Sequence, residues 1–403
     1  MILANRFIRV YITQYMKHVN LLTLLAVLCS CSEIPSLIVT NETDETLKAQ
    51  SIVVKRSKLN ILAESYFKLI ANGTELPSQY DDTDGDGQWD EMAFQVDLEP
   101  NQAMTIELNP VDVSESYPIK TGIHLGYSPE RNNEFTSVEE NTMPADHVAQ
   151  STPFLYQFEG PGWESNLVGF RTYFDSRNGK DIFGKTTEEI TLPGVGTGEN
   201  YHELQAWGMD VLKVGNSLGA GALALKSGDS LIRLSEVGEQ AFNVVFEGPV
   251  RSKMELTYTD WKVGSKSIQL KETIDIWANK MYYQSTIAVD SEGDTLATGI
   301  VNLHDMKSKE LSSAGHQLIY THGVQSENKD VLGMALILPE AEFAGSQSIA
   351  KKDTGIGSTE VAFLNSTDGT TSFVFVAGWE LTDETMNSQA SFKDYLIQTA
   401  SEL

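Results

Sequence analysis

The sequence predicts an all-β protein: a small N-terminal β-sandwich, then a large two-sheet sandwich of the supersandwich type, ending in one short helix. Three observations predict it. Apolar residues alternate with polar ones at period two along most of the chain. Gly, Asp and Asn turns punctuate that alternation. Helical spacing is confined to 388–401, where Phe392, Tyr395, Leu396 and Ala400 fall on one face.

The first 30 residues read as an export leader. They hold Arg6, Arg9 and Lys17, no acidic residue, and the apolar run VNLLTLLAVL at 19–28. Ten residues are too few to span a bilayer but suit a signal-peptide core. Met16 would begin a more ordinary leader. Leu28-Cys29-Ser30-Cys31 has the shape of a lipobox, and Cys31 is the better acylation site because the smaller Ser30 precedes it. The expectation is an exported lipoprotein anchored in the outer membrane by acyl chains, on its periplasmic or its outer face. These are the two cysteines of the chain, so the folded body has no disulfide framework, thiolate metal site or cysteine nucleophile.

The small sandwich is expected over 31–110, with short strands between 37 and 108. A polar, Pro-punctuated connection follows over 111–153, and the large sandwich occupies 154–403. Its clearest stretch is 251–290, where Met254, Leu256 and Tyr258, then Ile268, Leu270, Ile274 and Ile276, alternate with polar neighbours. Further strands are expected at 334–338, 360–364 and 372–377. The charge balance, 29 basic against 56 acidic residues for a net −27, excludes a nucleic-acid binder. Without the leader's three cations, 26 basic residues remain against 56 acidic, or −30.

Three constellations could carry chemistry. Asp82, Asp84 and Asp86, with Gly85, Gly87 and Asp90, resemble a calcium loop, although the twelfth position holds Ala93 in place of a bidentate Glu. The alternative is an acidic surface turn. A strand through 170–175 would place Arg171, Tyr173 and Asp175 on one face, beside a Gly-rich turn and Trp163. Arg grips carboxylates and Trp stacks on sugar rings, so such a face suits a sugar or uronate. Tyr201, His202, Glu203, Trp207, Asp210 and Lys213 then crowd 13 residues, with His202 suited to general acid–base work near neutrality. His147, Arg251 and His304 are further polar candidates. No G-x-S-x-G elbow, P-loop, H-E-x-x-H or dinucleotide fingerprint occurs.

Several long stretches carry a family resemblance: EGPGWESNLVGFRTYFDSRNGKDIFGK at 159–185, YHELQAWGMDVLKVGNSLGAGAL at 201–223, GPVRSKMELTYTDWKVG at 248–264, ATGIVNLHD at 297–305 and DTDGDGQWDEMAFQV at 82–96. Across most of 37–403 the chain resembles a family of exported lipoproteins of bacterial polysaccharide-utilisation loci. That family was formerly grouped only as a domain of unknown function, and some members are oligosaccharide dehydratases acting on ulvan fragments. The resemblance implies water elimination from a terminal uronic acid of an anionic oligosaccharide, giving a 4,5-unsaturated sugar. No cofactor is required for it, and a structural calcium ion is expected only if the Asp82–Asp90 loop, read from its own residues, holds one.

That chemistry needs a cation on the uronate, for which Arg171 is the choice and Arg251 or Lys213 the alternates. His202 or Tyr201 would serve as base. Tyr173, His304 or His147 would serve as acid, and Trp163 or Trp207 would stack on the ring. Two other readings stand beside it: a polysaccharide lyase with a sugar leaving group, and a non-catalytic glycan-binding lipoprotein. A glycoside hydrolase is disfavoured because no acidic pair stands out.

Overall fold

The computed structural model describes residues 8–13, 35–59, 65–291 and 293–403. The apolar run at 19–28 and the predicted acylation site Cys31 lie outside the described residues. The chain divides into two compact units, 1–118 with 402–403, and 119–401. In both units the strands pair antiparallel into sheets joined by turns and loops.

In the first unit, Ser36–Asn41 and Tyr66–Ala71 bury every second residue, which is the period-two signal read from the sequence. A five-stranded sheet runs Ile8–Thr13, Ser36–Asn41, Ala103–Val111, Tyr66–Ala71, Thr74–Leu76, and a three-stranded sheet runs Leu47–Lys55, Glu91–Leu98, Ser78–Asp81. Both contribute to one core, with Val39, Leu69 and Ile106 from the first and Val54, Phe94 and Leu98 from the second. Tyr80 locks the pair: its hydroxyl donates to Phe67 O at 2.6 Å and accepts from Phe67 N at 2.8 Å.

The second unit is a larger sandwich. One layer is a nine-stranded sheet with Arg251–Val263, Lys266–Trp277, Tyr282–Val289 and Thr370–Trp379 as consecutive neighbours. Against it stand two five-stranded sheets. One runs Gly208–Asp210, Lys180–Lys185, Val168–Thr172, Gly162–Ser165, Thr121–His124; the other is centred on Thr295–Val301. Isolated bridges at Lys180–Gly219 and Ala220–Ile300 connect these two sheets. Phe170 meets Tyr283 and Phe375 edge to face in the shared core, with ring centroids 4.8 Å apart for Phe170–Tyr283, while Tyr283 and Phe375 stack.

Three boundaries differ from the sequence expectation. Ile8–Thr13 lies inside the expected leader but pairs with Ser36–Asn41 as the edge strand of the five-stranded sheet, so cleavage before Cys31 would leave that sheet with four strands. The stretch 111–153 is more than a connection, because Thr121–His124 pairs with Gly162–Ser165 and Glu140–Thr142 pairs with Glu239–Phe246. Polar composition hid these short strands. The helix forms over Gln389–Glu402 and buries Phe392, Leu396 and Ala400. Phe392 lies against Gly333 and Gly378, paired glycines of adjacent strands where a Cβ would meet the ring at 2.8 and 3.1 Å.

Candidate active site

The sheet that runs from Thr121–His124 to Gly208–Asp210 buries both of its faces, and this builds the site. Val168–Thr172 and Lys180–Lys185 show no exposed position. Trp163, Phe170 and Ile182 point into the sandwich core. The opposite face carries Arg171 and Asp181, direct cross-strand partners, then Phe183 with its partner Asp210. This outer face is roofed by Phe158, Leu192 and Val195, with Tyr201 and Trp207 packed alongside.

Buried polar bonds hold the roof. Gln157 Nε2 donates to the carbonyls of Leu192, Pro193 and Val195, and its Oε1 meets His124 Nε2 at 2.8 Å. Glu164 accepts from the backbone N–H of Thr191 and Leu192, and pairs with buried Lys185 at 2.5 Å. Phe158 and Glu159 both adopt left-handed φ, at 38° and 71°. Such strain in non-glycine residues persists only where the surroundings enforce it. Here it aims Phe158 O at Arg171 Nη1 and the Glu159 carboxylate at Arg177.

Arg171 is the hub. It is 1% exposed, and all five of its N–H donors are engaged. Nε and Nη2 donate to Asp181 Oδ2 at 3.2 and 2.7 Å, and Nη2 also donates to Asp210 Oδ2 at 2.7 Å. Nη1 donates to Phe158 O at 3.0 Å and to the Tyr201 hydroxyl at 3.3 Å. The expected role of Arg171 as the clamp on a substrate carboxylate is therefore corrected: its donors are spent within the protein.

Around this hub sit the titratable groups. The Tyr173 hydroxyl donates to Asp181 Oδ2 at 2.7 Å. Burial, then the charge of Asp210, raises the Asp181 carboxyl to about 7. The imidazole of His202 is 61% exposed and meets Asp210 Oδ2 through Nδ1 at 3.2 Å, and that bond raises its pKa. Burial raises Tyr201 despite the nearby Arg171, which makes it a poor base. Burial also raises Tyr173 strongly. Arg171, Tyr173, Asp181, His202, Asp210 and Lys213 share a pocket of about 320 Å³. Lys213 is exposed and forms no ion pair among the described residues.

Other predicted residues lie elsewhere. Trp163 is fully buried and stacks on Phe170 at 5.9 Å, so it cannot hold a sugar ring. Trp207 packs edge-on to Phe183 in the roof. Arg251 is 4% exposed between the rings of Phe246 and Trp277, on the nine-stranded sheet. His304 is exposed in the turn after Thr295–Val301 and does not line the pocket. His147 packs edge-on to Tyr156, and burial lowers its pKa. Asp175 pairs with Arg177, not Arg171. In the first unit, carboxylate oxygens of Asp82, Asp84 and Asp86 lie within 4.8 Å of one another. Asp90 is not in that group, because its Oδ2 accepts from the backbone and hydroxyl of Thr83. Each of the three also accepts a backbone N–H from its own turn, as an acidic surface turn does.

Asp181 and Asp210 are the acidic pair that the sequence did not display. Asp181 follows a turn, and its pairing with Arg171 depends on the hairpin register. Between Lys180 and Lys185, Asp181 reads as one more charge at a strand end, so the linear pattern does not single it out.

The molecule is thus an all-β protein with an acid–base pocket on a doubly covered sheet. Residues 39–403 match the family described as a domain of unknown function (DUF4861), and the chain belongs to it. It is 25% identical over 368 residues to "Uncharacterized protein P7" of Formosa agariphila, covering 82% of this chain and 84% of that one. Two solved structures from Enterococcus faecalis are similar at 7% identity. For an alpha-mannosidase the TM-score is 0.42, covering 89% of this chain; for a glycosyl hydrolase family 38 protein it is 0.44, covering 90%. This chain spans 45% and 46% of those two proteins.

Proposed function

We propose that the pocket is an acid–base active site that eliminates water from a terminal uronic acid of an anionic, ulvan-type oligosaccharide. The observation that carries this reading is the constellation around Arg171: an accessible His202 held by Asp210, beside an Asp181–Tyr173 pair whose carboxyl titrates near neutrality. Lys213 replaces Arg171 as the cation on the substrate carboxylate. The Nδ1 bond to Asp210 leaves His202 Nε2 to take the proton at C5, alpha to that carboxylate. The C5–H electrons form the 4,5 double bond as the C4–O bond breaks. In this step Asp181 is protonated on Oδ2, and the 2.7 Å contact runs from its O–H to the Tyr173 oxygen. Tyr173 thus turns its own proton to the departing hydroxyl and takes the Asp181 proton in its place; water leaves and no cofactor enters the balance.

The paired carboxylates also favour a second reading, glycan hydrolysis. Mass spectrometry of ulvan oligomers incubated with the protein separates the outcomes. Dehydration lowers an oligomer by one water without cutting it, lyase action cuts it with no gain of water, and hydrolysis adds one water per cut. Unchanged masses with retained binding would leave only the glycan-binding role. We also propose an exported, outer-membrane lipoprotein acylated at Cys31. Cys31→Ala is expected to release the protein from the membrane fraction, and retention there refutes it.

A further inference from the structure

We infer that a second pocket beside the acid–base centre is a subsite for an oxyanion, a sulfate ester or a carboxylate, on the sugar adjoining the reacting one. The inference rests on the reading of the first pocket as a glycan site and adds what the neighbouring sugar must carry. The second pocket, about 430 Å³, shares Tyr173, Arg177, Val214 and Gly215 with the first, so the two are lobes of one groove. Each lobe is of a size that small-molecule sites commonly have, about 300–1,000 Å³.

The two lobes differ in charge. The first holds Glu159, Asp181, Asp210 and Glu327. Among the described residues lining the second there is no Asp or Glu, and there are two arginines, Arg177 and Arg233. In a chain with 56 acidic and 29 basic residues, that is a local reversal.

Arg233 accounts for it. Its Nη1 donates to Arg177 O at 3.2 Å, and its Nη2 donates to Asn216 O at 2.8 Å and Ser217 O at 2.6 Å. All three partners are neutral carbonyls, and no carboxylate reaches it among the described residues. Burial alone lowers its pKa to about 10, which leaves it fully charged at neutral pH. Arg233 is half-buried, so its charge is only partly solvated, and no carboxylate among the described residues balances it. The three carbonyls fix the guanidinium at the pocket wall and leave its Nε and one Nη1 hydrogen for single, charge-assisted bonds to a carboxylate or sulfate oxygen. Arg177 lies on the boundary. Asp175 and Glu159 occupy its Nε and Nη2, and its ring contact, 4.2 Å over Tyr173, puts it next to the proposed proton donor.

The test is titration calorimetry of the full chain with a sulfated uronate oligosaccharide, its desulfated form and its carboxyl-reduced form. Removing the recognised group is expected to weaken binding about 10- to 100-fold, the range of a charge-assisted hydrogen bond. Which form loses affinity tells sulfate from carboxylate. In Arg233→Gln that discrimination is expected to vanish. Because this change also disturbs the carbonyl bonds, Ser176→Asp supplies a second arm: it adds a negative charge at an exposed position of the same wall and is expected to weaken the anionic form selectively. Equal binding of all three forms by the wild type, absence of binding by any, or full discrimination in both folded variants overturns the subsite. Discrimination with no dehydrated product would sink the elimination reading and leave the subsite standing.

Discussion

Replacing His202 with Ala separates catalysis from stability more cleanly than any other change in the pocket. Its side chain is 61% exposed and its one ion pair, with Asp210, spans 3.2 Å. An exposed ion pair is worth about 0–1 kcal/mol, and a substitution at such a position ordinarily shifts stability by about 0.5 kcal/mol. Asp210 keeps Arg171 at 2.7 Å, so no buried charge is orphaned. Removal of a general base, in contrast, costs about 10²- to 10⁴-fold in rate. The expected result is a fall in kcat of that size, read as absorbance of the unsaturated uronate, with KM and the denaturant midpoint nearly unchanged. An unchanged rate refutes the base assignment. A loss of rate matched by loss of folded protein refutes the claim that His202 is peripheral to the fold.

Three further outcomes follow from the geometry. Arg171→Met leaves Asp181 and Asp210 buried without their cation, so it is expected to cost about 3–5 kcal/mol in denaturant unfolding; a neutral result would show that the hub is not structural. Asp181 has its carboxyl raised to about 7, so the native state holds a proton that the unfolded chain has released above about 4. Stability relative to Asp181→Asn should therefore fall as pH rises between those two values, and a difference that grows across this window has the wrong sign. Gly333→Ala sets a Cβ 2.8 Å from the Phe392 ring, and overpacking of about 1–3 kcal/mol should lower the melting temperature, unless the C-terminal helix yields freely.

Fold class was legible because the sandwich sheets keep period two wherever one face is wet. Arg251–Val263 alternates between buried and partly exposed positions along most of its length, and the sequence shows it. The helix was legible for a related reason: Phe392, Leu396 and Ala400 recur at helical spacing on one buried face. The site was harder because its sheet is covered twice. Along Val168–Thr172 every residue is buried, so hydropathy does not tell the core face from the roofed one. Trp163 therefore passed for a ligand platform when it is core, and Arg171 for an open clamp when its donors are spent. Asp181 was invisible for want of register. Its value comes from lying opposite Arg171, which a linear reading reaches only once the turn at Asn178 and Gly179 is placed.

The arrangement also explains how a chain of net charge −27 would accept the proposed anionic substrate. Arg171 is not free to attract a substrate, because Asp181 and Asp210 already surround it. Its charge instead lets two buried carboxylates sit side by side, and burial, then the charge of Asp210, keeps a proton on Asp181 that an exposed Asp would shed. Asp210 acts likewise on His202, raising the proton affinity of an imidazole that stays accessible. One buried ion cluster thus sets both proton affinities. In the proposed function, attraction falls to cations outside it: Lys213 at the exposed rim and Arg233 in the lobe that has no acid among its described lining residues. Such a division of labour would keep the proposed acid–base groups from being neutralised by the cations that hold the ligand, which a single shared arginine could not do.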